Sequence, residues 1–159
     1  MLDRILPKQA DNRFGGHRAA LWLLGLFIAL KIVMGVNSIF NTESVAIGAD
    51  GIPLDSYGPA AARQVLTLFA LTALGQLTLA LVGLTALVRY RALVPFMFAV
   101  LLAEQIARRL IVQSHAVVRA DGGSPGLSIN LGLMALLALG LLLSLIPVRQ
   151  RFSQAVKES

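Results

Sequence analysis

This chain of 159 residues contains no cysteine. It can therefore form no disulfide framework, thiol nucleophile or thiolate metal site. Motifs for other reactions are missing as well, because the chain offers no phosphate-binding loop, no nucleophile paired with a base and no metal-ligand spacing. We predict no catalytic residue and no metal ligand, and we expect the protein not to be an enzyme.

Charged residues are scarce, at 14% of the chain, whereas hydrophobic residues make up 57%. A soluble domain carries about a quarter charged residues, so this chain has too little polar surface to cover a globule in water. Acidic residues are the scarcer sign, with eight against fourteen Lys and Arg, which leaves a net charge of +6. The basic residues flank apolar runs and form no patch interleaved with aromatics, so the expected partner is a lipid bilayer and not a nucleic acid.

Long apolar runs dominate what is present. About 20 helical residues are needed to cross roughly 30 Å of hydrocarbon, and four runs are long enough. They are continuous and rich in Leu and Ala, without the period-two alternation of barrel strands, which predicts helices. The sequence thus predicts an all-α polytopic membrane protein, a four-transmembrane-helix bundle, with spans at 19–40, 64–88, 92–112 and 126–148.

The remaining segments are short. Residues 41–58 hold three acids, Gly and Pro but no basic residue, and RYR at 89–91 is a tight turn that predicts an antiparallel pairing of spans two and three. ADGGSP at 120–125 is typical turn sequence. The expected organisation is an N-terminal segment 1–18, a transmembrane domain 19–148 and a C-terminal tail 149–159.

The placement of Lys and Arg predicts the orientation, because basic residues accumulate in cytoplasmic segments. Nine fall on the side of the termini and four on the other side, with Lys31 inside span one. We therefore predict that both termini are cytoplasmic and that the acidic 41–58 loop faces outward. The nine are Arg4, Lys8, Arg13, Arg18, Arg89, Arg91, Arg149, Arg151 and Lys157, and the four are Arg63, Arg108, Arg109 and Arg119.

Three polar residues fall deep inside predicted spans. At a rise of 1.5 Å per residue, Lys31 lies roughly 15 Å from the cytoplasmic edge, and Gln76 and Glu104 lie roughly 18 Å from it. Charged residues at such depth cost about 2.5–3.5 kcal/mol on insertion scales and usually face a partner inside the bundle. We predict an intramembrane polar layer of Lys31, Gln76 and Glu104, with an ion pair between Lys31 and Glu104.

The end of span three, AEQIARRLI at 103–111, carries further polar residues. Glu104 and Arg108 are i, i+4 neighbours, as are Gln105 and Arg109. Arg108 and Arg109 lie near the outer edge, where long side chains reach the interface, and Arg63 opens span two on that side. These three arginines are candidates for holding a ligand at the outer leaflet.

Two interpretations of the polar layer remain open. In the structural one, an ion pair fixes the order of the helices beneath interfacial arginines. In the functional one, the layer is a proton or ion path, or a pocket for an anionic ligand. His17 and His115 fall on opposite sides of the membrane, which argues against a shared metal or haem site.

The arrangement of these features resembles the DoxX-like four-helix families of small bacterial inner-membrane proteins. The resemblance covers about residues 19–147 and rests on the polar loop after span one, the Arg opening span two (GPAAARQVLTLFAL), the basic turn (RYR) and the charged end of span three (AEQIARRL). Some DoxX relatives are linked to quinone-dependent oxidase complexes. The resemblance therefore implies an accessory subunit near a quinone site, with Arg63, Glu104 and Arg108 as the matching polar positions.

The sequence leads to a main functional hypothesis and an alternative. The first is a non-enzymatic accessory or structural protein of the bacterial inner membrane, which holds a lipid or quinone head group and acts as a homo-oligomer or within a larger membrane complex. The alternative is an oligomeric transporter or channel for a small ion or anion. A lipid-modifying enzyme ranks below both, because it would need a second acid or base near Glu104.

Overall fold

The computed structural model describes residues 5–7, 9–115 and 125–147, and within them the chain is helical without any strand. The prediction of an all-α protein is confirmed. Short 3₁₀ turns lie at Leu54–Ser56 and Arg91–Leu93. The main helices are Arg18–Phe40 (α1), Thr42–Gly48 (α2), Pro59–Arg89 (α3), Val94–Ser114 (α4) and Pro125–Leu145 (α5).

Three of the described helices are long and apolar enough to cross a membrane. They are α1, α3 and the part of α5 from Ser128 to Leu145, with mean hydropathies of 2.3, 2.1 and 2.1. They correspond to the predicted spans one, two and four. The helix at the predicted third span, α4, is not in this set because three charged side chains lie in its second half.

Proline sets where two helices begin. Pro59 occupies the first position of α3 and Pro95 the second position of α4, where a missing N–H costs nothing. The start at Pro59 makes α3 31 residues long, roughly 46 Å. It is longer than the predicted span 64–88, and its first turns extend beyond the end of α1.

Helix α1 lies at the centre of the bundle, packed against α3 on one side and α5 on the other, while α4 packs mainly on α5. The largest fully buried side chains come from α1, α4 and α5: Phe27, Phe98, Leu24, Ile28, Leu137 and Val94. Although RYR does join α3 and α4 through a tight turn, these two helices contact each other far less than α1 contacts α3.

Glycines permit the closest helix approaches. A methyl group at Gly35 in α1 would lie 3.3 Å from Leu77 Cβ of α3. One at Gly140 in α5 would collide with the ring of Phe98 from α4. Close backbone approach through small residues is the usual means of packing helices in lipid, where apolar burial gives little driving force.

We call the end where α1 begins the basal end, and the end where α1 stops the distal end. The N-terminal segment lies across the basal end, since the Ala92 N–H donates to Asp11 O (3.2 Å) and the His17 N–H to Leu143 O (3.1 Å). Gly16 in this segment is buried against the Ser144 carbonyl, with no room for a Cβ. The predicted N-terminal segment is thus attached to the bundle.

The distal loop 41–58 is more ordered than the linker that its composition indicates. It contains α2 and a 3₁₀ turn, it buries Ala46 completely, and it turns at Gly51 with φ 67°. The Gly126 N–H of α5 donates to Ala49 O at 3.1 Å. The loop therefore joins the start of α5 to the end of α1.

Some sequence predictions fall outside the described residues. These are the turn residues 120–124, the last residue of the predicted span 126–148, the tail 149–159, and the basic residues Arg4, Lys8, Arg119, Arg149, Arg151 and Lys157.

Candidate functional site

A buried lysine lies at the middle of α1. Lys31 is only 6% exposed, and its Nζ donates a hydrogen bond to Oε1 of Gln76 on α3 at 3.0 Å. The ammonium also lies 5.8 Å from the centre of the Phe27 ring, within the range of a cation–π contact. Gln76 and Phe27 together stabilise a cation in an otherwise apolar interior.

The carboxylate of Glu104 on α4 pairs with Arg108, one turn further along the same helix. Both side chains are about 30% exposed, at 28% and 30%. The predicted ion pair between Lys31 and Glu104 is not formed among the described residues, and in this respect the prediction was wrong. The reason is local, because an i+4 arginine reaches a glutamate without any adjustment between helices.

Lys31, Gln76 and Glu104 nevertheless line the same small cavity. Its volume is about 10 Å³, close to the least that holds one water-sized group. The other lining residues are Phe27, Leu79, Ala80 and Leu101, so α1, α3 and α4 each contribute. The cavity therefore brings together the residues that the depth calculation placed in one layer.

The second half of α4 turns its polar side towards the bundle. Glu104, Arg108 and Arg109 are half-buried, and Gln105 is buried at 2% exposure. The exposed residues of the same turns are all apolar: Ala103, Ile106, Ala107, Leu110 and Ile111. The helix turns its polar side to the bundle and its apolar side outward, whereas a surface helix of a water-soluble protein does the reverse.

Gln105 is the residue of this stretch whose environment the sequence did not reveal. The sequence showed only that Gln105 is an i, i+4 neighbour of Arg109, whereas in the structure Gln105 continues the buried row of Val94, Phe98 and Leu101. Its Nε2 makes no hydrogen bond within the described part of the chain. A buried amide donor without an acceptor costs about 1–3 kcal/mol. Its burial could have been predicted from the helical spacing of positions 94, 98, 101 and 105, which places them on one side of α4.

The structure does not bring Arg63 to this cluster. Arg63 is exposed, and its Nε donates to the Pro59 carbonyl of its own helix at 3.3 Å. It lies thirteen residues before Gln76 in α3, roughly 20 Å along the helix axis. Arg109, by contrast, stays on the polar side of α4 and forms no ion pair with any described residue.

A larger cavity of about 310 Å³ lies at the basal end, between the N-terminal segment and the ends of α4 and α5. Its polar lining comes from Gln9, Asp11, Arg13 and Ser144. The Ser144 hydroxyl donates to the Leu141 carbonyl (2.7 Å), and Asp11 and Arg13 pair with each other at 3.9 Å. Ser144, Asp11 and Arg13 are thus satisfied by their neighbours.

We call Lys31, Gln76 and Glu104, which line the small cavity, the Lys31 cluster. Glu104 is the only acid on α1, α3, α4 and α5, so these four helices supply no second carboxylate for a proton relay. The described residues also contain no group of three or more side chains able to hold a metal ion. Lys31 in this cluster, together with Gln105, Arg108 and Arg109 on the adjoining turns of α4, offers hydrogen-bond donors and positive charge.

Comparison with protein-family models, curated proteins and solved structures finds no match for this chain.

Proposed function

We propose that this chain is a multi-pass protein of a bacterial inner membrane that acts as a non-enzymatic accessory or structural subunit and holds a lipid or quinone head group. The single observation that carries the proposal is the polar cluster at one cavity, to which α1, α3 and α4 each contribute a side chain. Polar groups retained at this depth in spite of their cost mark a structural or binding role.

In this proposal α4 also crosses the membrane, as the third of four spans in chain order. Its apolar side chains face outward at the level where Glu104, Gln105 and Arg108 face inward, which is the arrangement that hydrocarbon requires. Large apolar side chains are also exposed on other helices, among them Trp22 (82%), Phe40 (80%) and Leu68 (58%). A lipid environment removes the cost of this exposure.

The proposed orientation has both termini in the cytoplasm. Arg13, Arg18, Arg89 and Arg91 lie at the basal end, and the distal 41–58 loop has acids and no basic residue. This asymmetry follows the positive-inside rule. Because the chain has no cysteine, single cysteines report orientation without background: Ser56→Cys should react with an impermeant thiol reagent in intact cells, and Gln9→Cys only after permeabilisation. The reverse pattern would contradict the orientation.

The role of the cluster is tested by Glu104→Gln and Lys31→Met in the full-length protein. We expect both variants to insert and to unfold at a lower temperature than the parent, and we expect Lys31→Met, which removes a positive charge, to lose the co-purifying head-group compound. Thr72→Val is the matched control, because its hydroxyl is exposed and bonds only to Leu68 O of its own helix. Normal stability of both cluster variants with loss of the bound compound would refute a purely structural role, and normal behaviour in both assays would refute the proposal.

A further inference from the structure

The polar side of α4 carries more positive charge than the acidic residues around it, among those the structure describes, can neutralise. Lys31, Arg108 and Arg109 are buried or half-buried, and Glu104 is the only acid on the same helices. Asp50 of the distal loop, which also acts electrostatically on Lys31, lowers the excess. Counted over the described residues, these three cations and two acids leave one positive charge. In a low-dielectric interior such a charge requires an anionic partner.

An unpartnered hydrogen-bond donor on the same side of α4 independently indicates an acceptor that the described residues do not supply. The Gln105 Nε2 is buried and makes no hydrogen bond among the described residues, and Gln105 lies one turn before Arg109 and directly beside Glu104 in the chain. A buried donor needs an acceptor. Excess positive charge and an unpartnered donor on one helix side both call for a negatively charged acceptor.

We infer that Gln105, Arg108 and Arg109 bind the phosphate group of an anionic amphiphile at the distal end of α4. A phosphodiester has one negative charge, equal to the excess, and oxygen acceptors for both guanidinium groups and the amide. The outward side of the same turns is apolar and exposed, at Ile106, Leu110 and Ile111, so lipid can reach this part of α4. The inference rests on the proposed function and narrows its head group from lipid or quinone to phosphate, since a neutral quinone would leave the charge uncompensated.

The test is binding of phosphatidylglycerol to the full-length protein in a neutral detergent, with phosphatidylcholine, a neutral quinone and inorganic phosphate as separate arms. Native mass spectrometry and the shift in unfolding temperature are the readouts. We expect phosphatidylglycerol to bind and stabilise most. Binding of inorganic phosphate alone, with the same dependence on Arg109, would support the phosphate site but assign it to the free anion.

Arg109→Gln and Gln105→Leu are the informative variants, because neither removes a partner of Glu104. We expect Arg109→Gln to weaken phosphatidylglycerol binding by about fivefold, the factor that one arginine contributes near a membrane surface, and Gln105→Leu to weaken it measurably because the phosphate loses one hydrogen-bond donor. Arg63→Gln, the same charge change at an exposed arginine, should leave the affinity unchanged. If Arg109→Gln does not fold, Arg109→Lys serves instead and should retain most of the binding through its charge.

The result that overturns the inference is equal stabilisation by quinone or phosphatidylcholine, or equal losses in Arg109→Gln and Arg63→Gln. The second pattern would show a diffuse attraction to the whole surface and not a site. Neither result bears on the proposed role of the Lys31 cluster. That role would be refuted by normal stability and an unchanged bound compound in Glu104→Gln and Lys31→Met. Failure of the phosphate site and failure of the proposed function can therefore be told apart.

Discussion

Helices α4 and α5 each have 21 residues and lie side by side, but they are held in different ways. The described part of α5 carries no charge, and its buried Ser144 hydroxyl is satisfied by its own backbone. Its position depends on packing, where Gly140 admits the ring of Phe98. The second half of α4 is placed by polar groups that must face inward. In one bundle, packing shape fixes α5, whereas the inward-facing polar side chains fix α4.

The largest effect should come from breaking the packing of α5. A leucine at Gly140 would collide with Phe98, and overpacking of this kind typically costs about 1–3 kcal/mol. We expect Gly140→Leu to lower the free energy of unfolding by about 3 kcal/mol, measured by denaturation in mixed micelles.

The control is Gly132→Leu on the same helix, where nothing lies within 4 Å of the added Cβ. It should retain the parent's stability, and Phe98→Ala should recover part of the loss in Gly140→Leu. Equal stability of the two leucine variants would show that α5 is not fixed by its contact with Phe98.

A smaller effect is expected from the polar partners. Gln76→Leu removes the acceptor of the Lys31 ammonium, and an unpaired buried donor with a charge costs about 2 kcal/mol. The same denaturation experiment should show this loss, and Lys31→Met added to Gln76→Leu should restore much of it by removing the charge.

Thr78→Val is the matched control on α3, because the Thr78 hydroxyl is exposed and bonds to Leu74 O of its own helix. A Gln76→Leu protein as stable as the parent would mean that Lys31 finds another acceptor, of which Glu104 on the same cavity is the nearest candidate. Lys31 of α1 and Glu104 of α4 would then form a contact that the structure of the parent does not contain.

Helix positions were predictable to within a few residues, because a long apolar run has few alternatives once it is too apolar for water. The predicted start of span two, at residue 64, missed the observed start at Pro59, since the amphipathic first turns of α3 continue the helix beyond the apolar run. Lys31, Gln76 and Glu104 could be placed at one level because the rise per residue of a helix is fixed.

The hydrogen-bond and ion-pair partners of Lys31 and Glu104 were not predictable. Coulombic reasoning favoured a contact between Lys31 and Glu104, but the choice between Gln76 and Glu104 depends on helix rotation and spacing, which composition does not contain. The burial of Gln105 and the separation of Arg63 from the cluster likewise depend on which side of each helix meets its neighbour. The attachment of residues 9–17 to the basal end had only the Gly15-Gly16 pair as a signal.

By itself the sequence determined the all-α architecture, the apolar helices and the common level of Lys31, Gln76 and Glu104 along them, because these depend on composition and on the rise of a helix. Only the tertiary structure decided that Lys31 donates to Gln76, that Glu104 pairs with Arg108 and that the polar side of α4 faces inward. These outcomes require the rotation of each helix about its axis. That rotation is set by contacts between residues far apart in the chain, such as Gly35 with Leu77 and Gly140 with Phe98.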